Sequence, residues 1–114
     1  MSAKVMYMRY ELLKDWREYI CLLKKAVERI LPNARIYIFG GTAEERLTAL
    51  SDIDVLIVYE NTPSTAGERA KIIARIETLA EELGVPFAYP FEIHLIRPEE
   101  FKDYSKYVKN IIEI

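Results

Sequence analysis

The sequence predicts an α/β domain: a small mixed sheet of three strands, or slightly more, with helices packed on it. Three observations predict it. Apolar residues recur at helical spacing in two long segments, residues 9–31 and 66–83. Short apolar runs, Ile36–Phe39 and Ile53–Tyr59, lie between those segments and are bounded by turn residues. A third run, Phe91–Ile96, alternates apolar and polar residues with the period of a strand.

Each element follows from its own residues. In the first helix Leu12, Trp16, Tyr19, Ile20, Leu23, Val27 and Ile30 form one stripe, with Lys14, Arg17, Lys24, Lys25 and Glu28 between them. Pro32-Asn33 stops it. The strand Ile36–Phe39 ends at Gly40-Gly41, and "TAEE" then has the form of a capping box, Thr42 as N-cap and Glu45 three positions on. A short helix from about Ala43 to Leu47 is expected there. After the second strand, "NTPSTAG" is a loop. The helix Ala66–Leu83 follows, with Ala66, Ala70, Ile73, Ile76 or Leu79, Ala80 and Leu83 on one side and Gly84 just past its end. "VPFAYP" is irregular, because prolines at that spacing do not fit a central strand. In Phe91–Ile96, Phe91, Ile93 and Leu95 share one face, Glu92 and His94 the other. Pro98 with Glu99 and Glu100 starts a last helix, whose buried stripe would be Phe101, Tyr104, Val108, Ile111 and Ile112.

The 114 residues read as a single domain, 1–114, large enough to bury a core. A hydrophobic content of 51% excludes a disordered chain. A net charge of −2 leaves no overall footprint for a nucleic-acid backbone. No run has the length of a membrane span and the N-terminus lacks a signal peptide's apolar core, so a cytoplasmic location is expected. Cys21, the single cysteine, reads as a small buried hydrophobe within the helical pattern. Glutamine is absent while Glu, Lys, Arg and Ile are abundant, the composition of a thermophile protein.

Two carboxylates, Asp52 and Asp54, open the second strand, where an unpaired carboxylate is costly. Being two apart, they are expected on one side, where mutual repulsion raises their pKa unless a cation lies between them. Oxygen ligands so placed suit Mg²⁺. Glu92, on the polar face of another strand, can supply a third carboxylate for a two-ion site. Gly40-Gly41 lets backbone approach a ligand closely, and the helix start after it offers N–H groups to a phosphate. Asp-x-Asp alone is commonly a cap or a solvated strand end, Gly-Gly a turn, and His94 a satisfied polar-face residue. In this order, twelve residues from Gly40 to Asp52 and ahead of Val55–Val58, the motifs point to a nucleoside triphosphate.

At these residues the chain resembles the nucleotidyltransferases of the DNA polymerase β superfamily. "IFGGTAEERLTALSDIDVLIV" matches their signature in order and spacing, and "FEIHLI" matches the strand of the third carboxylate. The likeness spans residues 35–97, and the chain looks like the minimal nucleotidyltransferases of archaea and bacteria. It implies the nucleotidyltransferase fold, with ATP as substrate and two Mg²⁺ ions. It also implies that Asp52, Asp54 and Glu92 bind metal and act in catalysis. Gly40, Gly41, Thr42, Arg46 and Ser51 would bind the nucleotide. Glu92 would help deprotonate the attacking hydroxyl in an in-line displacement at the α-phosphate. The chain departs from the family in having Gly41 where Ser is common, Glu44 and Glu45 near the phosphate site, and Glu92 in place of Asp.

Similar minimal proteins neighbour a HEPN-type toxin, as antitoxins that bind it or transfer AMP to its tyrosine. The resemblance therefore implies an adenylyltransferase acting on a partner protein. The other readings are an antitoxin that neutralises by contact, and nucleotidyl transfer to tRNA or a small molecule. Tyr7, Tyr10, Tyr104 and Tyr107 are candidate anchors for a partner, and a homo-oligomer is compatible with the sequence.

Overall fold

The computed structural model describes residues 2–39, 52–107 and 110–114. In chain order these form α1 (Ala3–Lys14), α2 (Trp16–Ile30), β1 (Arg35–Phe39), β2 (Ile53–Val58), α3 (Ala66–Leu83) and β3 (Phe91–Ile96). A 3₁₀ turn (Pro98–Glu100), α4 (Phe101–Tyr107) and β4 (Ile111–Glu113) complete them. The expected helix Ala43–Leu47, its capping box at Thr42 and Glu45, and Val108 lie outside the described residues.

Among the described residues the sheet has four strands in the order β3-β2-β1-β4. β2 and β3 run parallel, joined through α3, while β1 is antiparallel to both β2 and β4, which makes the sheet mixed. Strand parity sorts the residues onto two faces. On one face Ile36, Ile38, Ile53, Val55, Ile57 and Leu95 pack with Leu23, Ala26 and Val27 of α2 and with Ile76 and Ala80 of α3. On the other face Leu56, Val58 and Ile96 meet Phe101 and Tyr104 of α4. The helices α2 and α3 thus cover the first face, and α4 covers part of the second.

Local signals explain where the expected boundaries held. Thr65 caps α3 by accepting from Glu68 N–H at 3.2 Å, and Gly84 ends that helix with φ +124°, a conformation suited to glycine. β3 spans the expected residues. β1 begins one residue earlier than expected, at Arg35, and β2 ends one earlier, at Val58, although Tyr59 N–H still bonds Ile96 C=O at 2.9 Å.

Other expectations need correction. The first helix is two helices, broken at Asp15, whose carbonyl accepts from Glu18 N–H and Tyr19 N–H. The break shifts the phase of the stripe, so Leu13 is buried and Leu12 is exposed. Cys21 is exposed rather than buried, on the outward side of α2. On α3, Ala66 and Ala70 are exposed, and the buried residues are Ile76 and Ala80. Ile111 and Ile112 do not extend the last helix. They form β4, pairing with Phe39 and Ile38 along the edge of β1. β-branched residues suit that pairing, and an uncovered β1 edge would leave backbone groups open.

α1 stands outside this packed body but is fastened to it. Leu13 enters the core, and the Tyr89 hydroxyl donates to Leu12 C=O at 2.9 Å. Burial pushes the Tyr89 phenol pKa well up, with the neighbouring Tyr19 and Asp15 adding to the shift.

Candidate functional site

The parallel register of β2 and β3 sets Asp54 against Glu92, Leu56 against His94 and Val58 against Ile96. Paired residues share a face, so the Asp54 and Glu92 side chains emerge on the side that α4 only partly covers. One ligand atom each from Asp54, Glu92 and His94 lies within 4.8 Å of the others. His94 Nε2 stands 3.6 Å from Glu92 Oε1. Its ring lies between Phe39 and Tyr104, with centroids 5.8 and 5.9 Å away. Phe39 sits opposite Asp54 on β1 and so flanks the group from the other side.

This arrangement shifts the acid chemistry of Asp54. Burial pushes its carboxyl up to about 6, and the hydrogen bond with Glu92 and the charges of Glu92 and Asp52 act in the same direction. Each cause disfavours a second negative charge in a half-buried place. A cation would remove that penalty by replacing the shared proton. The donor set therefore fits a divalent ion, which carboxylates bind through oxygen.

Asp52 stands apart from this group. It precedes β2, its side chain is about half exposed, and its Oδ1 lies 3.7 Å from Arg9 Nη2 on α1. Its charge reaches Asp54, but among the described residues its carboxylate is not one of the three gathered ligands. The expected set Asp52, Asp54 and Glu92 is thus brought together in part. Gly40, Gly41, Thr42, Arg46 and Ser51, expected at the nucleotide, lie outside the described residues, as do Glu44 and Glu45.

Two further residues neighbour the carboxylates. His94 shares the face of Glu92, as its two-residue offset predicts, but stands with the carboxylates and is not merely a satisfied polar-face residue. Arg9 carried no signal, because nothing in the spacing of α1 tells which loop the helix will cross.

With this geometry in view, comparison with known proteins is informative. Residues 20–114 match the family described as nucleotidyltransferase domain. A crystal structure from Sulfolobus solfataricus, of a protein described as a nucleotidyltransferase, superposes with a TM-score of 0.56. The alignment covers 99% of this chain and 87% of that one at 22% identity, a likeness of fold. No curated protein matches the chain.

Proposed function

The chain belongs to the nucleotidyltransferase domain family, and from that premise we propose that it transfers AMP from ATP, with Mg²⁺, to a hydroxyl of a partner protein. The observation that carries this reading is the pairing of Asp54 with Glu92 across parallel strands, on an open part of the sheet. Asp54 and Glu92 would hold the metal, with Asp52 beside them. An ion held there would lower the pKa of the attacking hydroxyl and offset charge on the triphosphate.

The chain's own groups do the positioning. β2 and β3 fix both carboxylates through backbone pairing, so the site needs little rearrangement to receive its ligands. Glu92 has an exposed carboxylate at the mouth of the group, where it can take the proton of an incoming hydroxyl. Arg9 lies against Asp52 and brings positive charge to the side from which a triphosphate would enter.

A protein acceptor is favoured by α1. Val5, Met6, Tyr7, Met8, Tyr10 and Leu12 are all exposed on it, and Arg9 of the same helix reaches the site. Large exposed apolar groups mark contact surfaces. Following the family resemblance, we assign the partner as a HEPN-type toxin in the cytoplasm. Among the described residues no helix is long and apolar enough to cross a membrane. The exposed face of α1 also favours a second reading, neutralisation by contact alone.

Incubation with the partner, labelled ATP and Mg²⁺ separates these readings. Label on the partner that disappears with Asp54→Asn supports transfer. Full protection from the toxin by that variant, with no label transferred by the wild type, supports contact and overturns transfer.

A further inference from the structure

We infer that His94 is a ligand of the metal ion held by Asp54 and Glu92, so that the centre is a nitrogen–oxygen site that favours Mn²⁺ over Mg²⁺. This inference rests on the proposed metal site and deepens it. Its basis is geometric. His94 and Glu92 are two residues apart on β3 and share a face, and Asp54 is the register partner of Glu92. Their ligand atoms lie within 4.8 Å of one another, and His94 Nε2 faces Glu92 Oε1 at 3.6 Å. With metal–ligand bonds of about 2.1 Å, cis ligands of an octahedral ion lie about 3 Å apart and trans ligands about 4.2 Å. Small side-chain rotations therefore close the group onto one ion.

The imidazole is also held in place. Phe39 and Tyr104 flank the ring, and its side chain is 31% exposed. A histidine needed only to fill the sheet face would not have to aim a ring nitrogen at a carboxylate. Mg²⁺ is best served by oxygen alone, whereas first-row transition ions take a nitrogen ligand more readily, and among them Mn²⁺ is the one that also suits an oxygen-rich set. Replacing one oxygen by nitrogen therefore leaves Mg²⁺ usable through the carboxylates and raises affinity for Mn²⁺. The remaining coordination positions stay available for triphosphate oxygens.

The chain has a single histidine, so isotope labelling of histidine reports this position alone. Tag-free, full-length protein labelled with ¹⁵N-histidine is loaded with Mn²⁺, and its electron spin echo is examined for coupling to ¹⁵N. In parallel, calorimetry without nucleotide measures Mn²⁺ and Mg²⁺ binding to the wild type, His94→Asn and Asp54→Asn. The expected results are a ¹⁵N coupling and a loss of Mn²⁺ affinity of about tenfold or more in His94→Asn. Mg²⁺ affinity in that variant should change by less than about threefold, as expected for an ion served by oxygen. Asp54→Asn should lose both ions. Mn²⁺ bound without ¹⁵N coupling, or affinities for both ions unchanged in His94→Asn, overturns the role of His94 and leaves the carboxylate site standing. A wild type that binds neither ion overturns both. The coupling is read on the wild type, so it decides the matter even if His94→Asn does not fold.

Discussion

Along one face of β2 and β3, successive cross-strand pairs read Asp54 with Glu92, Leu56 with His94, and Val58 with Ile96. The backbone pairing is the same at every step, yet the chemistry runs from charged to apolar over four residues of strand. The Val58–Ile96 end is closed by Phe101 and Tyr104, and Leu56 and Ile96 are almost wholly buried there. Among the described residues, the Asp54–Glu92 end lies beyond that cover, and the carboxylates stand where the packing of α4 stops. The apolar end supplies stability, and the charged end costs some of it, since burial and Glu92 raise the Asp54 pKa.

Truncating the apolar end should have the largest effect. Leu56 is fully buried between the strands and α4, so Leu56→Ala removes its contacts and leaves a cavity. The expected loss is about 2–5 kcal/mol in chemical denaturation. The same measurement on Glu92→Gln should show a change of less than about 0.5 kcal/mol, since that side chain is exposed. Similar losses at both ends would remove the distinction between them.

Much of this contrast was legible in the sequence, and the reasons are specific. Parity placed Glu92 and His94 on one face of β3, and the apolar run Val55–Val58 announced a buried strand. Gly84 marked the end of α3 because it satisfies a local backbone requirement, and the structure adds Thr65 as the cap of its start. The break at Asp15 was hidden because the apolar pattern runs on through it, with Leu12 and Leu13 both offering a side chain to either phase. β4 was hidden because Ile111 and Ile112 suit a helix stripe or a strand equally, and only the open edge of β1 decides between them. In the site, the period showed which face Asp54 and Glu92 take on their own strands, while the register that sets them side by side is seen only in the sheet. The contact between Arg9 and Asp52 depends on how α1 is carried across the body, which no local spacing encodes.

A middle-sized effect is expected where α4 is fastened over the apolar end. Arg69 of α3 donates to both carboxylate oxygens of Glu100, at 3.1 and 2.8 Å, and also to the carbonyls of Pro63 and Leu95. The Arg69 side chain holds the Glu100 carboxyl below its ordinary range, with Arg97 N–H adding to the effect. Arg69→Met keeps the aliphatic stem and removes these bonds, for an expected loss of about 1–2 kcal/mol at neutral pH. The pH dependence has a definite sign. A lowered folded pKa contributes stability above the ordinary carboxylate value, and that contribution is lost as pH falls through the folded value. The deficit of Arg69→Met should therefore shrink in acid. A deficit that is constant with pH would show that packing, and not the ion pair, holds α4 down.

A smaller effect than at Arg69, and the sharpest test of the comparison, belongs to Asp54 itself. Its carboxyl is pushed up to about 6 from an ordinary value of 3.8, chiefly by burial and then by Glu92. Between those values the folded chain holds a proton that the unfolded chain has released, so stability falls as pH rises through the window. Above about pH 6 the penalty is present in full. Because the site is largely open to solvent, screening reduces it to about 0.5–1 kcal/mol. Asp54→Asn carries no charge and escapes the penalty. In metal-free buffer the variant should be more stable than the wild type by about that amount at pH 7.5, and equal to it near pH 4. Urea denaturation at both pH values measures the difference, and subtraction cancels every group that titrates alike in the two proteins. Adding Mg²⁺ at pH 7.5 should then stabilise the wild type and leave the variant unchanged, since an ion that binds only the folded state shifts its stability by mass action. A variant less stable than the wild type at pH 7.5 would mean that Asp54 supports the fold. The charged end would then be part of the structural core and not a place where stability has been given up for binding.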